Sequence, residues 1–578
     1  MINSKLQNFN WKIAGKAGEG VMVVAKLMAK ISKRHGMNVF NYLEYPSLIK
    51  GGHQTGQVYA SFETARCQKR QLDLLVTLGK AGFAEHSSEL TADSLIIYNQ
   101  DAGLLDSITK AKLKSQIIEL PFISLAKQAT GSIQSANMGV LGVSAYFLGL
   151  DPKIAQQVIK DEFKGKAETV IADNLKTFEA AFSAGQKLGQ PIRQTEKKPD
   201  DQILLTGNEA IGLGALAAGV QFYSAYPMTP ATALLHFLAA MQKHYPLVVK
   251  HAEDEIGAIN HALGASFAGV RAMTGTSGGG FALMVESLAL ASSAEIPLVI
   301  LEAQRKGPAT GLPTWTEQAD LSFVLTAGHG DTHQVVLTPG TVEEHFELTK
   351  VAFYLAEKYL LPVIILSDKS ILESHQTMKK IEAMHKYQSQ SLAQTLPADN
   401  SYRRYKITKD GISPRSLPGQ PHGFQLTNSY EHDEFGFATE TADQTQAQVE
   451  KRARKLEALV HEMPQPYLLG PKKAKITLVG WGSTINILTQ LIEDQGATKS
   501  SAVNAICLPA VWPFPEKVFS RLASFAGKLV MVEGNQSGQA EKLIRQETGL
   551  VMADHIRRYD GRPFYAEDLH QWLKEKSK

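Results

Sequence analysis

The residues best suited to chemistry lie between Tyr226 and Thr314. The acidic turn Glu253-Asp254-Glu255 follows the strand-like Leu247-Val248-Val249-Lys250 and precedes a stretch from Ile256 to Gly269 rich in Ala and Gly. A carboxylate at the junction of a buried strand and a helix sits in low dielectric near the positive helix end. It can therefore be tuned as an acid or held to one hydrogen bond. The small residues that follow let another backbone or a flat ligand come close. Downstream lie the glycine loop Thr274-Gly275-Thr276-Ser277-Gly278-Gly279-Gly280 and the segment Gln304-Arg305-Lys306-Gly307-Pro308-Ala309-Thr310-Gly311-Leu312-Pro313-Thr314. Upstream lies Tyr226-Pro227-Met228-Thr229-Pro230.

These segments need a scaffold, and the pattern around them predicts a multidomain α/β protein. Apolar, β-branched runs at Gln221–Ala225, Val270–Thr274, Leu298–Glu302 and Val363–Ser367 alternate with helical stretches, which predicts a largely parallel sheet. An earlier α/β pattern opens with Asn10-Trp11-Lys12-Ile13-Ala14, the loop Gly15-Lys16-Ala17-Gly18-Glu19-Gly20 and an amphipathic helix from Val21 to His35. This is the entry of a nucleotide-type domain, whose loop amides could face an anion or could simply let the helix pack on the strand. Runs at Leu74–Leu78 and Ser94–Tyr98 read as further buried parallel strands. The loop Tyr45-Pro46-Ser47-Leu48-Ile49-Lys50-Gly51-Gly52-His53 is polar, glycine-rich and placed to be functional. A third unit starts at Ile476-Thr477-Leu478-Val479-Gly480-Trp481. The expected divisions are a first α/β domain over 1–190, a linker over 191–202, a second domain over 203–385, an irregular wrapping segment over 386–465 and a C-terminal α/β domain over 466–578.

Composition narrows the function classes. Of 578 residues, 44% are apolar and 20% charged, as in ordinary globular proteins, and the net charge of +3 suggests neither a nucleic-acid surface nor a polybasic membrane surface. Met1-Ile2-Asn3-Ser4-Lys5 lacks the apolar core of a signal peptide and no apolar run has the ~18 residues a membrane span needs, so a cytoplasmic location is expected. The two cysteines, Cys67 and Cys507, cannot supply the thiolates of an iron–sulfur cluster. Any redox centre must belong to another polypeptide.

Taken in order, the Tyr226–Pro230, Glu253–Ile256, Arg271–Phe281 and Gln304–Thr314 motifs resemble the alpha subunit of 2-oxoacid:ferredoxin oxidoreductases, most closely the 2-oxoglutarate-specific members. The first segment resembles the family's gamma domain fused ahead of alpha, and Tyr45–His53 is similar to its characteristic loop. The resemblance implies a gamma-type α/β domain, a thiamine-pyrimidine-binding parallel-sheet domain and a transketolase-C-like domain. It implies oxidative decarboxylation of a 2-oxoacid with thiamine diphosphate, transfer of the acyl group to coenzyme A and passage of electrons to ferredoxin. A beta subunit would carry Mg2+, the diphosphate and a [4Fe-4S] cluster in an α2β2 assembly. No metal is assigned to this chain, which lacks a Gly-Asp-Gly motif with a downstream Asn. The same chemistry on pyruvate or branched-chain 2-oxoacids, or a non-catalytic paralogous subunit, are the alternatives.

By resemblance, Glu255 hydrogen-bonds the aminopyrimidine ring, Arg305 clamps the substrate carboxylate and Thr229 hydrogen-bonds the substrate. Pro227, Met228, Thr276, Ser277, Gly278 and Phe281 would bind the cofactor, with Thr310 and Thr314 supporting the substrate. Plainer roles exist: Glu253 and Asp254 as helix-entry acids, Arg305 as a surface ion pair, Thr229 as a helix N-cap ahead of Pro230, and Thr310 and Thr314 as loop residues. His251, His261 and His329, near these motifs, read as structural. Gly279 stands where the family more often has proline, Met228 where it has isoleucine, and Glu19 would repel an anion from the first glycine loop.

Overall fold

Among the described residues, alternation of apolar runs with helices produces three sheets. The structure, a computed structural model, describes residues 8–47, 52–103, 115–381, 396–399, 401–495 and 502–576. It divides into two units: 1–206 with 374–381 and 565–578, and 207–373 with 382–564.

The first unit holds an eight-stranded mixed sheet in the order Gln116–Leu120, Leu90–Asn99, Leu72–Thr77, Phe9–Lys16, His53–Ser61, Asn38–Glu44, His375–Lys379, Gln202–Leu205. The first four strands are parallel and the remaining pairings antiparallel. Helix Val21–Arg34 packs its apolar face, including Val24, Leu27, Met28 and Ile31, into the same core as Trp11 and Ile13. The strand Gln202–Leu205, expected to open the second domain, pairs instead with His375–Lys379 at the far edge of this sheet. Of the loop Tyr45–His53, Leu48 to Gly51 lie outside the described residues, as do 386–395 and 400 of the expected wrapping segment.

The second unit is built on a seven-stranded sheet in the order Ala510–Trp512, Val335–Leu337, Pro362–Asp368, Leu298–Gln304, Ala272–Thr276, Phe222–Ala225, Val248–His251. Every pairing is parallel except the first. Helices cover both faces, so successive residues of Leu298–Gln304 feed two cores: Leu298 and Ile300 pack with helices Glu255–Phe267 and Val285–Ser293, and Val299 and Leu301 with helices Gly207–Ala217 and Val342–Tyr359. The C-terminal five-stranded sheet shares the first of these cores through Val479, Trp481, Ile506 and Met531. Gln318 stitches the two together: its amide nitrogen donates to the Trp481 carbonyl at 2.8 Å and its carbonyl oxygen accepts from Gly534 N at 2.8 Å.

The strand before Glu253 is not buried, contrary to the sequence reading. Val248–His251 is the terminal strand, paired on one side only, and Val248 is 58% exposed. The irregular stretch from Ser401 onward lies against the second unit's helices. Arg404 donates to the Glu295 carbonyl at 2.7 Å and Arg415 to the Ser266 carbonyl at 3.1 Å. Helix Ala442–Glu462 then delivers Lys451 and Lys455 to the buried Glu295 carboxylate.

Candidate active site

The chain leaves strand Phe222–Ala225 toward the sheet edge, forms Val248–His251 there, and returns to form Ala272–Thr276 on the other side. Parallel sheets open a crevice at such a reversal, beyond the carboxyl ends of the strands. The motifs singled out above occupy it. Tyr226–Pro230 leaves one strand, Ser277–Phe281 leaves its neighbour, Glu255 follows the edge strand and Arg305 ends Leu298–Gln304.

Asp254 caps helix Glu255–Phe267 by accepting from Gly257 N at 2.7 Å, which places Glu255 in the first turn, 5% exposed. Its carboxyl group lies against the glycine loop. A Cβ at Gly280 would meet Thr276 Oγ1 at 2.2 Å and Glu255 Oε1 at 2.5 Å, so only a bare backbone fits. The Thr276 hydroxyl donates to Met228 Sδ at 3.8 Å, joining the two loops. Ser277 is fully buried with its hydroxyl unpaired, and Gly278 leaves room for the Asp320 carboxylate. Phe281 turns away into the core, edge-on to Phe323 with ring centroids 5.5 Å apart.

Arg305, half-buried, donates from Nη1 to the Thr229 carbonyl at 2.9 Å. Thr229 is not an N-cap, since the next helix starts at Thr232. Asn208, at the start of helix Gly207–Ala217, steadies this loop by donating to the Pro230 carbonyl at 3.0 Å. Beyond Arg305 the chain doubles back: Leu312 N donates to the Lys306 carbonyl at 2.9 Å and Lys306 Nζ to Glu317 at 2.7 Å. Thr310 is exposed at the tip, whereas Thr314 is buried with an unpaired hydroxyl.

Two acids that the sequence reading passed over sit behind Arg305. Glu302, fully buried in the strand opposite Thr276, keeps both carboxyl oxygens unpaired, and the Asp320 carboxyl is near enough to act on it electrostatically. Burial, then Asp320, pushes the Glu302 carboxyl up; burial, then Glu317, raises Asp320 to about 6. Burial also lowers the Arg305 guanidinium, opposed by the negative charge of these acids. The signal available in the sequence was an acid inside an otherwise apolar strand, Leu298-Val299-Ile300-Leu301-Glu302.

A sequence from Sulfolobus, the 2-oxoacid:ferredoxin oxidoreductase subunit alpha, is 30% identical over 98% of this chain and 96% of its own length. The chain belongs to the 2-oxoacid:ferredoxin oxidoreductase alpha-subunit family. Residues 213–451 match the family model for the pyruvate flavodoxin/ferredoxin oxidoreductase thiamine-diphosphate-binding domain, and residues 10–184 match that for pyruvate ferredoxin/flavodoxin oxidoreductase. The 2-oxoglutarate oxidoreductase subunit KorA of Mycobacterium tuberculosis is 25% identical over 99% of this chain and 92% of its own. The 2-oxoglutarate:ferredoxin oxidoreductase of Magnetococcus marinus, solved with 2-oxoglutarate, coenzyme A and succinyl-CoA bound, superposes with a TM-score of 0.92 at 30% identity over 99% of this chain and 100% of that one. The multidomain α/β organisation read from the sequence holds, and among the described residues no helix is long and apolar enough to cross a membrane.

Proposed function

We propose that this chain is the fused gamma–alpha subunit of a 2-oxoglutarate:ferredoxin oxidoreductase and supplies the pyrimidine-binding wall of a thiamine-diphosphate site completed by a beta subunit. The observation that carries this is the buried Glu255 carboxyl lodged against Gly280 in the reversal crevice, a cradle that a single Cβ would fill. Such a shape fits a flat ring laid on the glycine loop. When bound, thiamine diphosphate supplies a carbon acid whose conjugate base attacks the oxo carbon of the substrate.

This chain's residues then divide the work. Glu255 holds a proton at its carboxyl oxygen against the pyrimidine ring nitrogen. Pro227, Met228, Thr276, Ser277 and Gly278 shape the surface around that ring, and Phe281 supports the loop from beneath. Arg305 orients the substrate carboxylate by charge-assisted hydrogen bonds and Thr229 fixes the loop that carries it. Thr310 and Thr314 support the Arg305 loop. Tyr226, Ile256 and Leu283 stand exposed on the segments that follow the strands, apolar surface suited to a second protein chain. That chain would bring Mg2+, the diphosphate contacts and a [4Fe-4S] cluster in an α2β2 enzyme, reducing ferredoxin and forming an acyl-coenzyme A in the cytoplasm.

Co-expression with a cysteine-containing partner and assay of dye reduction dependent on both 2-oxoglutarate and coenzyme A tests the reading. Activity with 2-oxoglutarate above pyruvate and branched-chain 2-oxoacids is expected, and Glu255→Gln should lose turnover while keeping bound cofactor. Full activity in that variant, or failure of the assembled enzyme with every 2-oxoacid, would overturn it.

A further inference from the structure

We infer that the first unit carries a binding site for a divalent transition-metal ion, of which zinc is the best match, formed by His53, His86 and Glu85. His53 opens strand His53–Ser61, while Glu85 and His86 end helix Lys80–His86. The potential ligand atoms of the three side chains lie within 4.8 Å of one another. Two imidazole nitrogens and a carboxylate oxygen form a donor set that zinc uses with an open fourth position.

The second layer of contacts decides the orientation of His86. Its Nδ1 lies 2.8 Å from Glu89 Oε1, so Nδ1 carries the proton donated to that carboxylate and Nε2 keeps its lone pair. A carboxylate behind a histidine in this way fixes the tautomer of a metal-binding imidazole. The free Nε2 faces His53 Nε2 at 2.8 Å. The ring centroids are 5.0 Å apart, farther than the nitrogens by about the two ring radii, so the nitrogens point at each other and the rings do not lie face to face. Glu85 Oε2 is 3.6 Å from His53 Nε2 and its side chain is 53% exposed, which leaves the solvent side open for a water or another oxygen ligand.

Without metal, an N–H···N hydrogen bond joins the two rings. A metal would lie to the Glu85 side of the line between them and take the place of that proton, which moves to His53 Nδ1 or to water. Metal–nitrogen bonds of 2.0–2.1 Å at a tetrahedral angle set the nitrogens about 3.3 Å apart, so the rings must part by about half an ångström. Burial lowers the His53 pKa and favours the neutral ring that a metal needs, with Glu85 and Glu44 acting in the opposite sense and His86 and Lys12 with burial. Lys12 lies 3.5 Å from His86 Nδ1, and its charge is balanced by an ion pair with Glu89.

The test uses the full-length chain, tag-free and purified without its partner so that no cluster absorbs, stripped with chelator and titrated with Co2+ and then Zn2+. A single equivalent of Co2+ with the intense visible bands of a low-coordinate site, displaced by Zn2+, is expected. Glu85→Gln, at an exposed position, and His86→Gln should each weaken binding at least tenfold, and Glu89→Gln by roughly 10- to 100-fold. Circular dichroism separates loss of binding from loss of fold. Absence of stoichiometric binding in large metal excess, or binding unchanged in folded Glu85→Gln and His86→Gln, would overturn the site and leave a hydrogen-bonded histidine pair.

Discussion

Arg305 reaches across the crevice to the backbone carbonyl of Thr229, 2.9 Å from its Nη1. One guanidinium edge is thereby fixed on a neighbouring loop, leaving other N–H groups for a planar anion. Removing a charge-assisted hydrogen-bonding partner of this kind costs ~1.5–3 kcal/mol, roughly 10- to 150-fold in kcat/KM. Arg305→Ala is expected to lose that much, mostly as a higher KM for the oxoacid with the KM for coenzyme A unchanged. Arg305→Lys should recover little, because an ammonium cannot hold the carbonyl and a bidentate anion in one plane. Steady-state kinetics on the assembled enzyme would decide, and an unchanged oxoacid KM would remove Arg305 from substrate binding.

The glycine loop allows a paired comparison of adjacent residues. At Gly280 a methyl group would collide with Thr276 Oγ1 at 2.2 Å and Glu255 Oε1 at 2.5 Å, whereas at Gly279 the nearest atom is Met228 Cε at 3.7 Å, an ordinary contact. Gly280→Ala is therefore expected to displace the Glu255 carboxyl and abolish thiamine-dependent activity, and Gly279→Ala to retain most of it. Cofactor content and turnover of the two variants, measured side by side, check this. Equal behaviour would mean that the Glu255 cradle does not set activity.

What could be read from sequence follows from how local each signal is. The β-branched run Leu298–Gln304 and the small-residue helix Glu255–Phe267 announce themselves within one element, and the sheet of parallel strands follows from their alternation. Strand Val248–His251 opens with two valines, as an interior strand would, but Lys250 and His251 are exposed and mark an edge that pairs on one side only, a signal that the reading of a buried strand overrode. Gln202–Leu205 and His375–Lys379 are short, meet each other from opposite ends of a domain's length of chain, and join the first sheet rather than the second. The acid pair Glu302–Asp320 and the trio His53, Glu85 and His86 likewise exist only once distant segments meet; the two histidines are 33 positions apart.

Burial, then the charge of Glu317, raises Asp320 to about 6, so folding favours its protonated form. Above that pH its ionisation opposes folding, and the penalty is relieved as pH falls from about 6 toward the unfolded value of ~3.9. Asp320→Asn is thus expected to be more stable than the parent at about pH 8, by on the order of 1–3 kcal/mol, with the difference fading across that window. Thermal unfolding of both proteins as a function of pH measures it. A difference that does not change with pH would assign the effect to packing instead of to the ionisation of a buried carboxyl group.

Glu295 carries a fully buried charge in the second unit: its carboxylate and Lys451 are both fully buried, 2.6 Å apart, and Lys455 pairs with it at 2% exposure. The two ammoniums, with Arg404, hold its pKa well below the usual carboxylate range despite burial. Its contribution is complete above the unfolded value of ~4.3 and is lost as pH falls toward the folded one. Both lysines lie on helix Ala442–Glu462, so the pair also ties the irregular stretch ahead of that helix to the sheet's helices. Glu295→Gln leaves two buried cations without a partner and is expected to cost ~3–5 kcal/mol, with faster proteolysis within the stretch preceding the helix. Replacing the lysines by methionine together with Glu295→Leu should recover much of that loss, since the penalty comes from unpaired charge and not from absence of the ion pair. If the single substitution alone left both Tm and protease resistance intact, the triad would not be what anchors the segment.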